Sequence, residues 1–202
     1  MFTPAFKVLS LTLPRKSTTP TLPAGITVNK LNNATAMATT ATTIEIEAYK
    51  IADLLAENGS CAALWPDWWG FKMEAYDMVQ ENVAIVDAVK NSCAVVHSDS
   101  DTTIQRLNQE AGKVMFRAND NGFDISEAHA IKWITVNAAK SLGIDDKTGS
   151  LEAGKQGDVV IWNQSPFSVY AKAEQVFIDG AKVYDRDDAT FQAQSDFMLG
   201  QK

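Results

Sequence analysis

Two short apolar runs constrain this chain most: Cys61 to Trp65 and Cys93 to His97, neither broken by the polar alternation of a half-buried strand. Such runs read as strands covered on both faces, and a parallel sheet is the usual way to cover both. The segments around them carry helical periodicity. Ala48, Ile51, Ala52 and Leu55 recur at helical spacing until Asn58-Gly59 stops the run, and Thr42 with Glu45 suits a capping box in front of it. A helix is predicted over Gln80 to Lys90 between the two strands, and Ile104, Leu107, Ala111 and Val114 mark the apolar face of the next one. Asp124 with Glu127 caps a further helix that carries Ile131, Ile134 and Ala138. Strands alternating with amphipathic helices define an α/β architecture.

The flanks differ from this middle. Residues 1–43 contain Pro4, Pro14, Pro20 and Pro23, and Ala34 to Thr43 is almost entirely Ala and Thr, so an irregular or disordered leader is expected. Residues 44–145 form the α/β part. Beyond them, in 146–188, Val159 to Trp162 reads as a strand, and Gln175 to Ile178 with Ala181 to Tyr184 as a hairpin turned at Asp179-Gly180. Residues 189–202 are a tail. A complete eight-stranded α/β barrel needs about 250 residues, whereas residues 44–145 supply two clear strands. The sheet is therefore either small and open or part of a barrel.

Charge and composition exclude several roles. Eighteen Lys and Arg stand against 25 Asp and Glu, a net charge of -7, and no basic stripe offsets it, so nucleic acid is not an expected partner. No window approaches the roughly 18 uninterrupted apolar residues of a membrane span, and the basic Arg15 and Lys16 follow rather than precede the first apolar stretch, unlike a secretory signal. Cys61 and Cys93 lie in apolar strands and read as buried free thiols rather than a disulfide, consistent with a cytoplasmic location.

Chemistry-bearing residues follow both strands. Trp65-Pro66-Asp67-Trp68-Trp69-Gly70-Phe71-Lys72 follows the first, and His97-Ser98-Asp99-Ser100-Asp101 the second. Carboxyl ends of strands are where α/β proteins place their sites. Trp68, Trp69, Lys72 and His97 are pocket candidates by position; the aromatic run also suits a hydrophobic plug over the sheet. Asp99 can bind a cation and take a proton from a metal-bound water. Acidic and hydroxyl residues equally make turns and helix caps, which suits Ser100 and Asp101.

A longer pattern tips the balance. Ile134-Thr135-Val136-Asn137-Ala138-Ala139-Lys140-Ser141-Leu142-Gly143-Ile144, then Gly149-Ser150-Leu151-Glu152-Ala153-Gly154-Lys155-Gln156-Gly157-Asp158-Val159-Val160-Ile161-Trp162, resembles the C-terminal signature of the metal-dependent amidohydrolase superfamily. Glu47 to Ala52, the Trp-rich run and Arg106-Leu107-Asn108-Gln109-Glu110-Ala111 resemble its imidazolonepropionase-like and prolidase-like branch. The similarity covers about residues 45–188. It implies the C-terminal part of a TIM-type (β/α)8 metallo-hydrolase barrel followed by part of a small β-sandwich. It also implies a divalent metal, commonly zinc, and hydrolysis of a C–N bond in an amide, lactam or dipeptide. Asp99 is then the aspartate of the last barrel strand, a metal ligand and proton carrier.

The resemblance also implies ligands that this sequence does not supply. A His-x-His strand, a bridging lysine and two further histidines are expected, but the chain has two histidines in all, His97 and His129, and His129 lies inside a predicted helix, where packing or surface exposure suits it. One carboxylate does not make a zinc site, which takes three or four protein ligands. The isolated chain is therefore expected to be inactive and to associate, either with a complementing N-terminal chain or with itself. The alternative is a non-catalytic relic or a binding module.

Overall fold

The computed structural model describes residues 7–8, 47–98 and 100–191; the expected capping pair Thr42 and Glu45, Asp99, and the tail beyond residue 191 lie outside the described residues. A short 3-10 turn, Ala48–Ile51, leads into helix α1, Ala52–Glu57, which precedes strand β2, Cys61–Leu64. Helix α2, Asn82–Asp87, then precedes strand β3, Cys93–Val96. The two strands pair in parallel, Cys61 opposite Cys93 through Leu64 opposite Val96, as unalternated apolar runs separated by a helix require. Among the described residues neither strand has a second neighbour.

Helix α3, Leu107–Asp120, explains itself from sequence. Ala111, Val114, Met115 and Ala118 fall on one face at helical spacing and are buried, while Asn121 and Gly122 end the helix. With Ala48, Leu55, Leu64, Val83, Val86, Ala94, Val96, Trp133 and Phe167, this face forms the hydrophobic core. Full burial of a side chain such as Leu64 stabilises by about 1.5–3 kcal/mol.

The helix expected from Asp124 to Ala138 is broken into three pieces. Ser126, not Asp124, is the cap: its side chain accepts from the His129 amide at the start of α4, Glu127–Ala130. A 3-10 turn spans Ile131–Ile134, and Thr135, with φ -129° and ψ -96°, separates it from α5, Val136–Leu142. The Thr135 hydroxyl donates back to the Ile131 carbonyl at 2.8 Å, satisfying the chain where the helix stops. The turn sends α5 across β3, where the Asn137 side-chain Nδ2 donates to the Ala94 carbonyl at 2.8 Å.

The C-terminal strands are β4, Val159–Trp162, β5, Ala173–Ile178, and β6, Ala181–Asp185. Asp179 and Gly180 both have positive φ, 53° and 78°, as the tight hairpin turn demands. Strand β1, Lys7–Val8, adds antiparallel to β4, with Val8 opposite Val160. The leader is thus not wholly irregular: these two residues make the fourth strand of a sheet ordered β1-β4-β5-β6. A pairing of two residues with a strand some 150 positions away leaves no local mark in a proline-rich stretch.

The thiols also differ from expectation. Cys61 and Cys93 form a disulfide, because the parallel register sets them directly opposite one another at a Cα–Cα distance of 4.4 Å. The 32-residue spacing between them carries no hint of this. No helix among the described residues is long and apolar enough to cross a membrane.

Candidate functional site

Strands β2 and β3 run the same way, so their carboxyl ends, Leu64 and Val96, deliver both following segments to one edge of the fold. The His97 amide continues the ladder by donating to the Leu64 carbonyl at 3.0 Å. Trp65 is buried there, its carbonyl accepting from the Asn82 side chain at 2.9 Å. Around its ring stand Trp68 at 6.4 Å, His97 at 6.3 Å and Phe71 at 5.7 Å between centroids. The Lys72 ammonium sits over Trp65 and Phe71, 5.5 Å and 5.1 Å from the ring centres. Cation–π contacts of this kind are worth about 0.5–1 kcal/mol at exposed sites. The run after β2 is thus an ordered aromatic cluster, with Trp68 and Gly70 both at positive φ to fold it back.

Beside the cluster opens a cleft of about 410 Å³, lined by Asp67, Trp68, Thr103, Arg106, Gln109, Glu110 and Lys113. Of the residues singled out from sequence, Trp68 lines it, while Trp69, Lys72 and His97 are not among its walls. Trp69 is half exposed. Arg106, Gln109, Glu110 and Lys113 were not recognised as site residues. Their signal is a polar stripe at helical spacing, running beside the apolar stripe of Leu107, Ala111 and Val114.

The charges in the cleft are unequally satisfied. The Lys113 ammonium donates to the Asp67 carboxylate at 2.5 Å, which holds the Asp67 carboxyl below the usual range. Glu110 is 5% exposed, its Oε2 has no hydrogen-bond partner, and burial pushes its carboxyl up. Arg106 is exposed and makes no ion pair among the described residues.

The hydroxyl run after β3 behaves as a turn. Ser98 is buried with its hydroxyl 3.0 Å from that of Thr103, and the Ser100 hydroxyl accepts from the Thr102 amide at 3.3 Å. His129 is structural, as its place in a helix suggested: Nε2 lies 2.6 Å from Asp87 Oδ2 and its ring meets Trp133 edge-on. Among the described residues no three His, Cys, Asp or Glu side chains are placed to hold a metal ion. Since zinc in proteins takes three or four ligands, these residues do not make a zinc site by themselves.

A polar cleft at the carboxyl ends of parallel strands is where α/β proteins place their ligand sites. The sequence model of the Amidohydrolase family matches residues 73–183, more than half of the chain. The chain belongs to the amidohydrolase family, in its imidazolonepropionase-like branch. It is 33% identical over 117 residues to the imidazolonepropionase of Shewanella oneidensis, covering 54% of this chain and 25% of that protein. It is 31% identical over 118 residues to the imidazolonepropionase of Shewanella baltica strain OS185, with the same coverage of 54% and 25%. Among solved structures, an amidohydrolase from Thermotoga maritima aligns with a TM-score of 0.60 at 30% identity, covering 70% of this chain and 36% of that one. An adenosine deaminase from Xanthomonas campestris with bound zinc shares the fold, with a TM-score of 0.52 at 22% identity, covering 70% of this chain and 36% of that one. The chain spans about a quarter of the length of the curated relatives it matches.

Proposed function

We propose that this chain forms one wall of the active site of a metal-dependent hydrolase of non-peptide or dipeptide C–N bonds. The observation that carries the reading is the shared direction of β2 and β3, which brings the segment containing Trp68 to the same edge as the segment containing His97, the latter within the region matched by the family. In this reading residues 44–145 are the last strand-helix units of a barrel, and residues 146–188 with β1 are part of a small β-sandwich. Asp99 is the chain's own metal ligand and proton carrier, and the substrate is a small amide, lactam or dipeptide. The remaining zinc ligands come from barrel strands of the kind that fill the rest of the relatives' length. The Cys61–Cys93 disulfide bears against the cytoplasmic location expected from sequence, since such bonds persist mainly in oxidising compartments.

The test is to assemble the chain with the N-terminal barrel strands of an imidazolonepropionase and measure zinc content and hydrolysis of cyclic amides and dipeptides. The assembled protein is expected to hold zinc stoichiometrically and to turn over at least one of these substrates. Asp99→Asn is expected to remove both properties while leaving the far-UV circular dichroism unchanged. An assembled, folded protein that takes up no zinc and hydrolyses nothing overturns the proposal.

A further inference from the structure

The cleft beside the aromatic cluster contains two cationic and two acidic side chains, and they do not pair off evenly. Asp67 and Lys113 satisfy one another directly across the opening. That leaves one acid and one base without a direct ion pair among the described residues: Glu110, almost fully buried with Oε2 bonded to nothing, and Arg106, at the solvent edge. Arg106 ends the 3-10 turn Ile104–Arg106 that runs into α3, and Glu110 lies in the first turn of α3. No ion pair joins these two. A buried carboxyl oxygen without a donor is destabilising, so a ligand that supplies the donor recovers that loss.

We propose that this cleft binds a small zwitterion, its ammonium or N–H group donating to Glu110 and its carboxylate received by the Arg106 guanidinium. Trp68 forms the apolar wall against which the ligand's carbon chain lies, and Gln109 and Thr103 supply neutral hydrogen-bonding groups around it. The volume of about 410 Å³ lies within the range of small-molecule pockets. Every residue invoked belongs to this chain, and none is a metal ligand in the hydrolase reading. Binding therefore stands apart from hydrolysis and needs neither zinc nor further barrel strands.

The experiment is a calorimetric titration of the full chain in EDTA with 4-aminobutyrate, which carries both charges and has no hydrolysable bond. Ethylamine and acetate serve as single-charge probes. Saturable binding of 4-aminobutyrate is expected, with each single-charge probe weaker by about tenfold, the value of one charge-assisted hydrogen bond. Glu110→Gln and Arg106→Ala are each expected to weaken 4-aminobutyrate by about tenfold. Arg106→Ala is also expected to leave ethylamine unchanged. If Glu110→Gln does not fold, the exposed Arg106→Ala variant and the order of the three probes decide the matter. No saturable binding, equal binding of all three probes, or undiminished binding by the folded variants overturns the proposal. Zinc loading and hydrolysis are not measured, so failure here leaves the hydrolase reading intact, and the converse holds.

Discussion

Replacing Gly149 by alanine tests how the signature segment is held against the α/β part. Gly149 has φ +92°, and a Cβ there meets Ala139 Cβ at 2.6 Å and Val136 Cα at 3.1 Å. Carbon atoms prefer about 3.5–4.0 Å, so the segment after residue 148 passes over α5 too closely for any side chain. Two costs add. A positive φ costs an alanine about 1–2 kcal/mol, and overpacking a tight contact costs about 1–3 kcal/mol. Gly149→Ala is thus expected to destabilise by about 2–5 kcal/mol. Urea unfolding followed by tryptophan fluorescence and far-UV circular dichroism reads this as a midpoint lowered by about 1–2 M. A second substitution separates the two terms. Ala139→Gly removes the 2.6 Å contact, but itself costs about 0.5–1 kcal/mol as a helix-interior glycine. The double variant should recover about 1–3 kcal/mol relative to the sum of the singles, while the φ penalty persists. A Gly149→Ala midpoint indistinguishable from the parent, or strictly additive singles, would refute the reasoning.

Other outcomes follow from the same geometry. Reducing the Cys61–Cys93 bond, which closes a loop of 32 residues, should cost about 3–4 kcal/mol by the chain-entropy argument; the folded protein should show no free thiol to Ellman's reagent until reduced, and two free thiols at the outset would contradict the pairing. Burial raises the Glu110 carboxyl, so its contribution favours the folded state below the ordinary glutamate pKa of 4.5 and is lost as pH rises through the elevated folded value. The stability of the parent relative to Glu110→Gln should therefore be higher at pH 4 than at pH 8, and a pH-independent difference would count against the burial argument. Lys113→Ala breaks a pair whose side chains are 56% and 42% exposed; unfolding titrations should show a loss of at most about 1 kcal/mol, and a much larger loss would mean that the pair is screened from solvent.

Much of the secondary structure is a local property and could be read residue by residue. The unalternated runs at Cys61 and Cys93 became parallel strands, the stripe through Ala111 and Val114 became the buried face of α3, and Asp179-Gly180 made its turn. Family membership was legible for the same reason, because the signature from Ile134 to Trp162 is contiguous. Position at a strand end offered Trp68 and Trp69 alike, and only the folded chain separates them, with Trp68 lining the cleft and Trp69 turned half into solvent.

What the sequence by itself determined is therefore the alternation of elements, their apolar faces and the ancestry they share with amidohydrolases. Only the tertiary structure decided which distant residues meet. The disulfide depends on register across β2 and β3, and β1 depends on a partner strand at the other end of the chain. The cleft depends on Asp67 reaching Lys113, 46 positions away, so that Arg106 and Glu110 are left without a direct ion pair. Helical and strand periods arise from interactions within a few residues and leave a repeating mark in the sequence. A contact between distant segments leaves none, because any residue of suitable size and charge satisfies its own neighbourhood equally well until the fold closes around it.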